Sequence, residues 1–185
     1  NSAAYGGGSS GGTLNNCTLT GNSARNYGGG SSGGTLNNCI IVRNYLTNDI
    51  LDNWTNSTMN YTCTFPMPTN GIGNITNSPL FVSAGSGYGT NHVAGNYRLQ
   101  STSPCINTGT NQDWMIGVLD LDGNPRIVNT TVDMGAYEYQ SGGPVPVGYW
   151  AWASEITNGL TNYSDCATGD GFPNLLKYAT GSNPT

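Results

Sequence analysis

The chain has 185 residues; Gly, Asn, Ser and Thr make up roughly half of them, and only 8 % are charged. A net charge of −5, with one lysine and one histidine, excludes a phosphate-binding surface, which needs clustered Lys and Arg. Nor does any stretch hold the roughly 18 consecutive apolar residues of a membrane helix, while low charge combined with eleven Tyr and four Trp sets the chain apart from disordered polymers.

The first 44 residues are a repeat. Gly6-Gly7-Gly8-Ser9-Ser10-Gly11-Gly12-Thr13-Leu14-Asn15-Asn16-Cys17 returns unchanged as Gly28 to Cys39, a shift of 22, and Asn1-Ser2-Ala3 returns as Asn22-Ser23-Ala24. That period is too short for paired helices, and its glycines would destabilise them. It suits one coil of a solenoid built from short strands and tight turns. Leu14, Cys17 and Leu19 then face inward while Thr18 and Thr20 face out, and Leu36, Cys39 and Ile41 repeat the pattern. Asn-Asn makes the turn between two strands, because Asn tolerates the left-handed region. Asn16 and Asn38, stacked at one corner, are expected to form an amide ladder. Cys17 and Cys39 should stack one rung apart as a buried thiol ladder, since parallel Cβ vectors hold their Cβ atoms farther apart than a disulfide allows. A third, degenerate coil is expected from about Asn44 to Phe65, with Tyr61-Thr62-Cys63 as the equivalent strand.

This Gly-Gly-Gly, Leu-Asn-Asn-Cys, Asn-Ser-Ala pattern resembles the coils of right-handed parallel β-helix surface proteins, including polymorphic outer-membrane-type repeats. Further along come Gly73-Asn74-Ile75-Thr76-Asn77-Ser78-Pro79-Leu80-Phe81, Asn96-Tyr97-Arg98-Leu99-Gln100 and Ser103-Pro104-Cys105-Ile106-Asn107-Thr108-Gly109. Asp120-Leu121-Asp122-Gly123-Asn124-Pro125-Arg126 and Asp133-Met134-Gly135-Ala136-Tyr137-Glu138-Tyr139 follow. The ordered series is similar to the C-terminal end of choice-of-anchor Q β-helix proteins. The resemblance implies a secreted or surface β-helix whose last coils are closed off before a cell-envelope sorting segment.

Read as residues, Asp122-Gly123-Asn124-Pro125 is turn chemistry between two apolar runs. Tyr137, Tyr139, Trp114 and Met115 are expected to cover the exposed end of the solenoid. The carboxylates Asp120, Asp122, Asp133 and Glu138 leave three readings open. In the first, Asp122 makes the turn and Arg126 pairs with Asp133 or Glu138. In the second, Asp120, Asp122 and Asp133 are hard oxygen ligands for calcium, and in the third, two carboxylates act as a glycosidase pair. His92 is expected in a solvated loop. Cys63 and Cys105 flank the closing region, and a bridge between them would staple a long loop. Asn53, Asn56 and Asn60 are sequons in one polar stretch, expected as exposed glycosylation acceptors.

Residues 141–148 are a Gly/Pro linker by composition. Beyond them, Trp150 and Trp152 begin a short helical tail that is too small for its own core and needs a docking surface. Asp165 and Asp170 lie in a segment similar to acidic, calcium-linked repeats, although it departs from an EF-hand loop.

The expected architecture is therefore an all-β, right-handed parallel β-helix with an irregular closing segment and a small helical C-terminal tail. Regular coils occupy 1–66, the final coils and closing segment 67–140, the linker 141–148 and the tail 149–185. The expected function is non-catalytic: an extracellular or cell-surface structural or adhesive protein with no cofactor, calcium excepted. Its expected partners are copies of itself in a head-to-tail filament, or the rest of a longer surface protein whose coils cover the open first coil. A carbohydrate-binding or carbohydrate-cleaving module, with glycans as partners, is the alternative, and it requires exposed aromatics along one face.

Overall fold

A computed structural model of the protein describes residues 1–140. The repeat folds as three stacked coils of four short strands each. Coil 1 holds β1 (Ser2–Tyr5), β2 (Ser9–Ser10), β3 (Thr13–Asn15) and β4 (Thr18–Leu19). Coil 2 holds β5 (Ser23–Tyr27), β6 (Ser31–Ser32), β7 (Thr35–Asn37) and β8 (Ile40–Ile41). Coil 3 holds β9 (Tyr45–Leu46), β10 (Trp54–Thr55), β11 (Thr58–Asn60) and β12 (Cys63–Thr64). Each strand pairs in parallel with its counterpart one coil away, giving four three-stranded sheets with orders β1-β5-β9, β10-β6-β2, β11-β7-β3 and β12-β8-β4. This is a parallel β-helix. Among the described residues there is no α-helix, only two 3₁₀ turns at Gly89–Asn91 and Asp113–Met115, and none of the helices could cross a membrane.

The core inside the coils follows the repeat. Leu14, Leu36 and Met59 stand in one register column, and Leu19, Ile41 and Thr64 in another. Leu19, Leu36, Cys39, Ile41 and Met59 form the buried inner cluster, joined by Leu14, Cys17 and Trp54. Coil 3 is one residue longer than coil 2, so Thr58 sits on Thr35 and Cys63 sits on Ile40 rather than on Cys39. Thr62 takes the place above Cys39, whose N–H donates to its Oγ1. Cys63 therefore faces outward.

Its outward direction serves a second core. Ile40, Cys63, Phe81, Leu99, Cys105 and Met134 are buried together outside the coils. Phe81 and Leu99 come from an antiparallel pair, β13 (Phe81–Ser83) and β14 (Asn96–Leu99). The segment after coil 3 does not plug the end of the solenoid, as expected, but lies along its flank. Ala136 N–H donates to Thr18 Oγ1 in coil 1, Gly135 N–H to the Asn38 carbonyl in coil 2, and Met134 packs with Cys63 of coil 3. Of the four expected covering residues, Met115 is buried and Tyr139 packs on the flank core, but Trp114 is exposed. Tyr137 lies beneath the Arg98 guanidinium. The physical reason is the outward apolar column Ile40–Cys63, which requires an apolar cover at the side.

The far end of coil 3 is closed by its own loops. Leu51 bridges back to Tyr45 in antiparallel fashion, and Ile75 forms a parallel bridge with Cys63, the start of a partial fourth rung. Regular coils thus end at Thr64, and the expected further coils within 67–140 are reduced to that rung. The linker 141–148 and the tail 149–185, with Trp150, Trp152, Asp165, Asp170 and Cys166, lie outside the described residues.

Candidate functional site

Two amide ladders run along the coils. In the first, Asn37 Nδ2 donates to Asn15 Oδ1 at 3.0 Å and Asn60 Nδ2 to Asn37 Oδ1 at 3.1 Å. The expected pair, Asn16 and Asn38, is one residue off. Both take the left-handed conformation (φ 48° and 51°), as does Tyr61 above them (φ 48°). That turn swings their amides out to the flank, where Asn16 Nδ2 donates to the Asp133 carbonyl and Asn38 Nδ2 to the Thr110 carbonyl. They fasten the second layer rather than the coils.

The second ladder is buried and was not expected. Asn22 Nδ2 donates to Asn44 Oδ1 at 2.9 Å, Asn44 Nδ2 to Asn53 Oδ1 at 3.2 Å, and Asn53 Nδ2 to the Phe65 carbonyl at 2.7 Å. The signal for it was the recurrence of Asn1 and Asn22 ahead of Ser-Ala. It also explains the third glycine of each repeat. A Cβ on Gly8 would lie 2.9 Å from Asn22 Nδ2, and one on Gly30 would lie 2.8 Å from Asn44 Nδ2 and 2.3 Å from the Asn53 carbonyl oxygen.

Among the described residues, this system of bonds stops at coil 1 with one side unused. Coil 2 donates backwards to coil 1 through Thr35, Ile40 and Val42 N–H, which reach the Gly12, Cys17 and Leu19 carbonyls. By the same register, Thr13, Thr18 and Thr20 N–H of coil 1 point to where a preceding coil would lie, as does the Nδ2 of Asn15. Thirteen consecutive residues of coil 1, 5–17, are identical to 27–39 of coil 2, so this edge carries the same donor pattern that already holds one coil to another.

The carboxylates are occupied by the protein's own backbone. Asp120 Oδ1 accepts from Asp122 and Asn124 N–H, each at 2.9 Å, and its Oδ2 accepts from Glu138 N–H. Asp120 therefore makes the turn, and not Asp122, which pairs instead with exposed Arg98. Asp133 accepts from Asn107 and Tyr139 N–H, and Glu138 from Val128 and Asp133 N–H. Arg126 is buried beside them, yet it donates to the Gly135 and Ala136 carbonyls and not to Asp133 or Glu138. Burial raises the Asp133 carboxyl to about 6, and burial with the neighbouring Asp133 charge raises Glu138 to about 9. The expected calcium set of Asp120, Asp122 and Asp133 does not assemble. Among the described residues, no three His, Cys, Asp or Glu side chains converge as metal ligands. Asp120, Asp133 and Glu138 are each at most 8 % exposed, so these three carboxylates are closed off from a substrate.

His92 is half-buried and not a free loop side chain. Its Nε2 meets Tyr97 Oη at 2.9 Å, and its ring presses on Gly21, where a Cβ would stand 2.0 Å from Nδ1. Of the three sequons, Asn56 is exposed, but Asn53 is 2 % exposed and Asn60 Nδ2 is engaged in the outer ladder. A glycan on Asn53 would break the buried ladder, so that expectation is withdrawn for the folded chain. Cys17, Cys39, Cys63 and Cys105 are free thiols. Cys17 and Cys39 share the inner core as expected, and the Cys39 thiol hydrogen-bonded to Cys17 lowers the latter to about 7.

Exposed aromatics among the described residues include Tyr5, Tyr27, Phe65 and Trp114. Tyr5 and Tyr27 form an exposed pair with ring centroids 4.7 Å apart. A side groove of about 430 Å³ is lined by Arg43, Tyr45, Thr64, Phe65 and Phe81 among others. No family model matches this chain, and no curated protein matches it.

Proposed function

We propose that this protein is a non-catalytic structural segment of an extracellular surface protein, in which a further coil of the same repeat completes the edge of coil 1. The observation that carries this reading is the donor row Thr13, Thr18, Thr20 and Asn15, unused among the described residues, on a coil identical to its neighbour over thirteen consecutive positions. Two features support the rest of a longer chain, rather than a second copy, as the source of that coil. The far end of coil 3 is covered by 46–52 and 72–75, so a head-to-tail contact would meet loops instead of strand edges. A coil in the same chain would also place its asparagine in register with Asn15, as Asn15 is with Asn37. The buried, backbone-bonded carboxylates support a structural reading over hydrolysis. The extracellular assignment rests on the resemblance to surface β-helices and their choice-of-anchor Q ends.

The test is to duplicate coil 2, residues 22–43, ahead of Asn1. Stability in solenoids grows with each well-matched interface, and the extended chain should melt several degrees higher, at about 2–4 °C per kcal/mol gained. The same extension with aspartate at the position of Leu36 should give no rise. If the matched extension adds no stability and is clipped by protease from an otherwise intact protein, the edge does not take such a coil.

A further inference from the structure

The outward turn of Cys63 brings it against the flanking layer. Cys63 leaves coil 3 on the same side as Ile40, and Cys105 enters the same buried cluster from the flanking segment. Both are fully buried in that one cluster, with the Cys63 thiol donating to the Asn77 carbonyl at 3.1 Å. Each backbone is held in place. Cys63 N–H donates to the Cys39 carbonyl, Cys105 N–H to Ser103 Oγ, and Met134 N–H to the Cys105 carbonyl. Ser103 is itself anchored through its hydroxyl to the Pro79 carbonyl at 2.6 Å.

We propose that Cys63 and Cys105, free thiols in this structure, are oxidised to a disulfide that staples the flanking layer to coil 3. The two side chains enter one buried cluster from different segments, coil 3 and the flank, so they are not held at the fixed spacing of neighbouring rungs. Cys17 and Cys39 provide the contrast within the same molecule. They share the inner core, but both project in the same direction from coils whose backbones are bonded on either side of them, by Asn16 N–H to the Asn37 carbonyl and Ile40 N–H to the Cys17 carbonyl. Parallel rungs stand about 4.8 Å apart, whereas disulfide Cβ atoms lie about 3.8 Å apart. That pair stays reduced.

The oxidant is a low-molecular-weight disulfide. One cysteine thiolate attacks it and releases one small thiol, leaving a mixed disulfide on the protein. The second cysteine thiolate then displaces the other small thiol. Cys63 and Cys105 together lose two protons and two electrons, and the small disulfide is reduced to two thiols. Neither sulfur is exposed once the flank has docked, so the exchange belongs to folding. The bond should form readily during refolding and slowly in the folded, reduced protein.

The test uses the full chain, reduced and unfolded, then refolded at about pH 8 with oxidised and reduced glutathione. Free thiols are trapped with iodoacetamide and the chain is digested without reduction. The expected result is a linked peptide joining Cys63 to Cys105 in most molecules, with Cys17 and Cys39 alkylated. The melting temperature should fall by several degrees when dithiothreitol is added. In the Cys105→Ala variant that response to reductant should vanish, whatever the variant's own stability. Alkylation of both Cys63 and Cys105, their linkage to Cys17, Cys39 or Cys166 instead, or a reductant response that persists in Cys105→Ala would overturn the proposal. Because the chemistry is read in vitro, the outcome is independent of where the protein resides.

Discussion

Asn44→Ala is expected to lower the melting temperature by roughly 10 °C or more. Asn44 is fully buried, and its amide makes five bonds. Nδ2 donates to the Leu19 carbonyl, the Val42 carbonyl and Asn53 Oδ1, while Oδ1 accepts from Asn22 N–H and Asn22 Nδ2. Truncation strands the Asn22 N–H and Asn22 Nδ2 where water cannot reach, at about 1–3 kcal/mol for each unsatisfied group. A total on the order of 3–5 kcal/mol would remove much of the about 5–15 kcal/mol that holds a domain folded. The matched comparison is Asn37→Ala in the outer ladder. Asn37 is half-buried, so water can replace its two amide bonds, and the loss should stay near 1 kcal/mol. Denaturant melts of both variants decide the point. Equal losses would mean that the inner ladder is not the structural spine.

The second large effect is on pH. Asp133 and Glu138 have folded values of about 6 and about 9, above ordinary carboxyls, mainly because burial penalises their charged forms. A group whose folded value exceeds its unfolded one binds more protons when folded. Its contribution is therefore complete below about pH 4 and is lost as pH rises through the folded value. Stability should decline between about pH 4.5 and pH 9, the opposite of a protein held by salt-bridged carboxylates. Facing these two groups are the Asp120 carboxylate and the Arg126 guanidinium. A tenfold change in proton affinity between the unfolded and folded chain corresponds to about 1.4 kcal/mol, so a fall of several degrees in melting temperature is expected. Glu138→Gln should flatten the upper part of this decline. It should also lower stability at acidic pH, because one acceptor oxygen becomes an NH₂ group facing a backbone N–H. Melting temperatures that rise from pH 5 to 9 would contradict the assignment.

What could be read from the sequence was whatever recurs. The period, the inward column Leu14–Leu36, the inner thiols and the third coil all follow from the 22-residue shift, because stacked coils place equivalent residues on top of one another. The ladder was misplaced by one residue for a local reason. In Leu14-Asn15-Asn16 the strand continues through Asn15, whose side chain alternates away from Leu14, and only Asn16 turns left-handed. The composition of an Asn-Asn pair does not say which member turns. The cysteines misled for a related reason, since one extra residue in coil 3 moves Cys63 from the inner column to the outer one. The flank was the hardest part to read. Its fold depends on single side chains meeting non-repeating backbone, such as Asp120 holding the Glu138 N–H and Glu138 holding Val128. No period announces such bonds, so charge pairing between Arg126 and the carboxylates looked reasonable and was not what formed.

The open edge of coil 1 is most directly tested by hydrogen exchange of individual amides in the monomeric chain. Thr35, Ile40 and Val42 N–H, each bonded to a coil 1 carbonyl, should be protected, while Thr13, Thr18 and Thr20 N–H should exchange nearly as fast as in an unfolded chain. Protection of the coil 1 threonines equal to that of their coil 2 counterparts, at a concentration where the protein is monomeric, would show that the edge is already filled and that no further coil is needed.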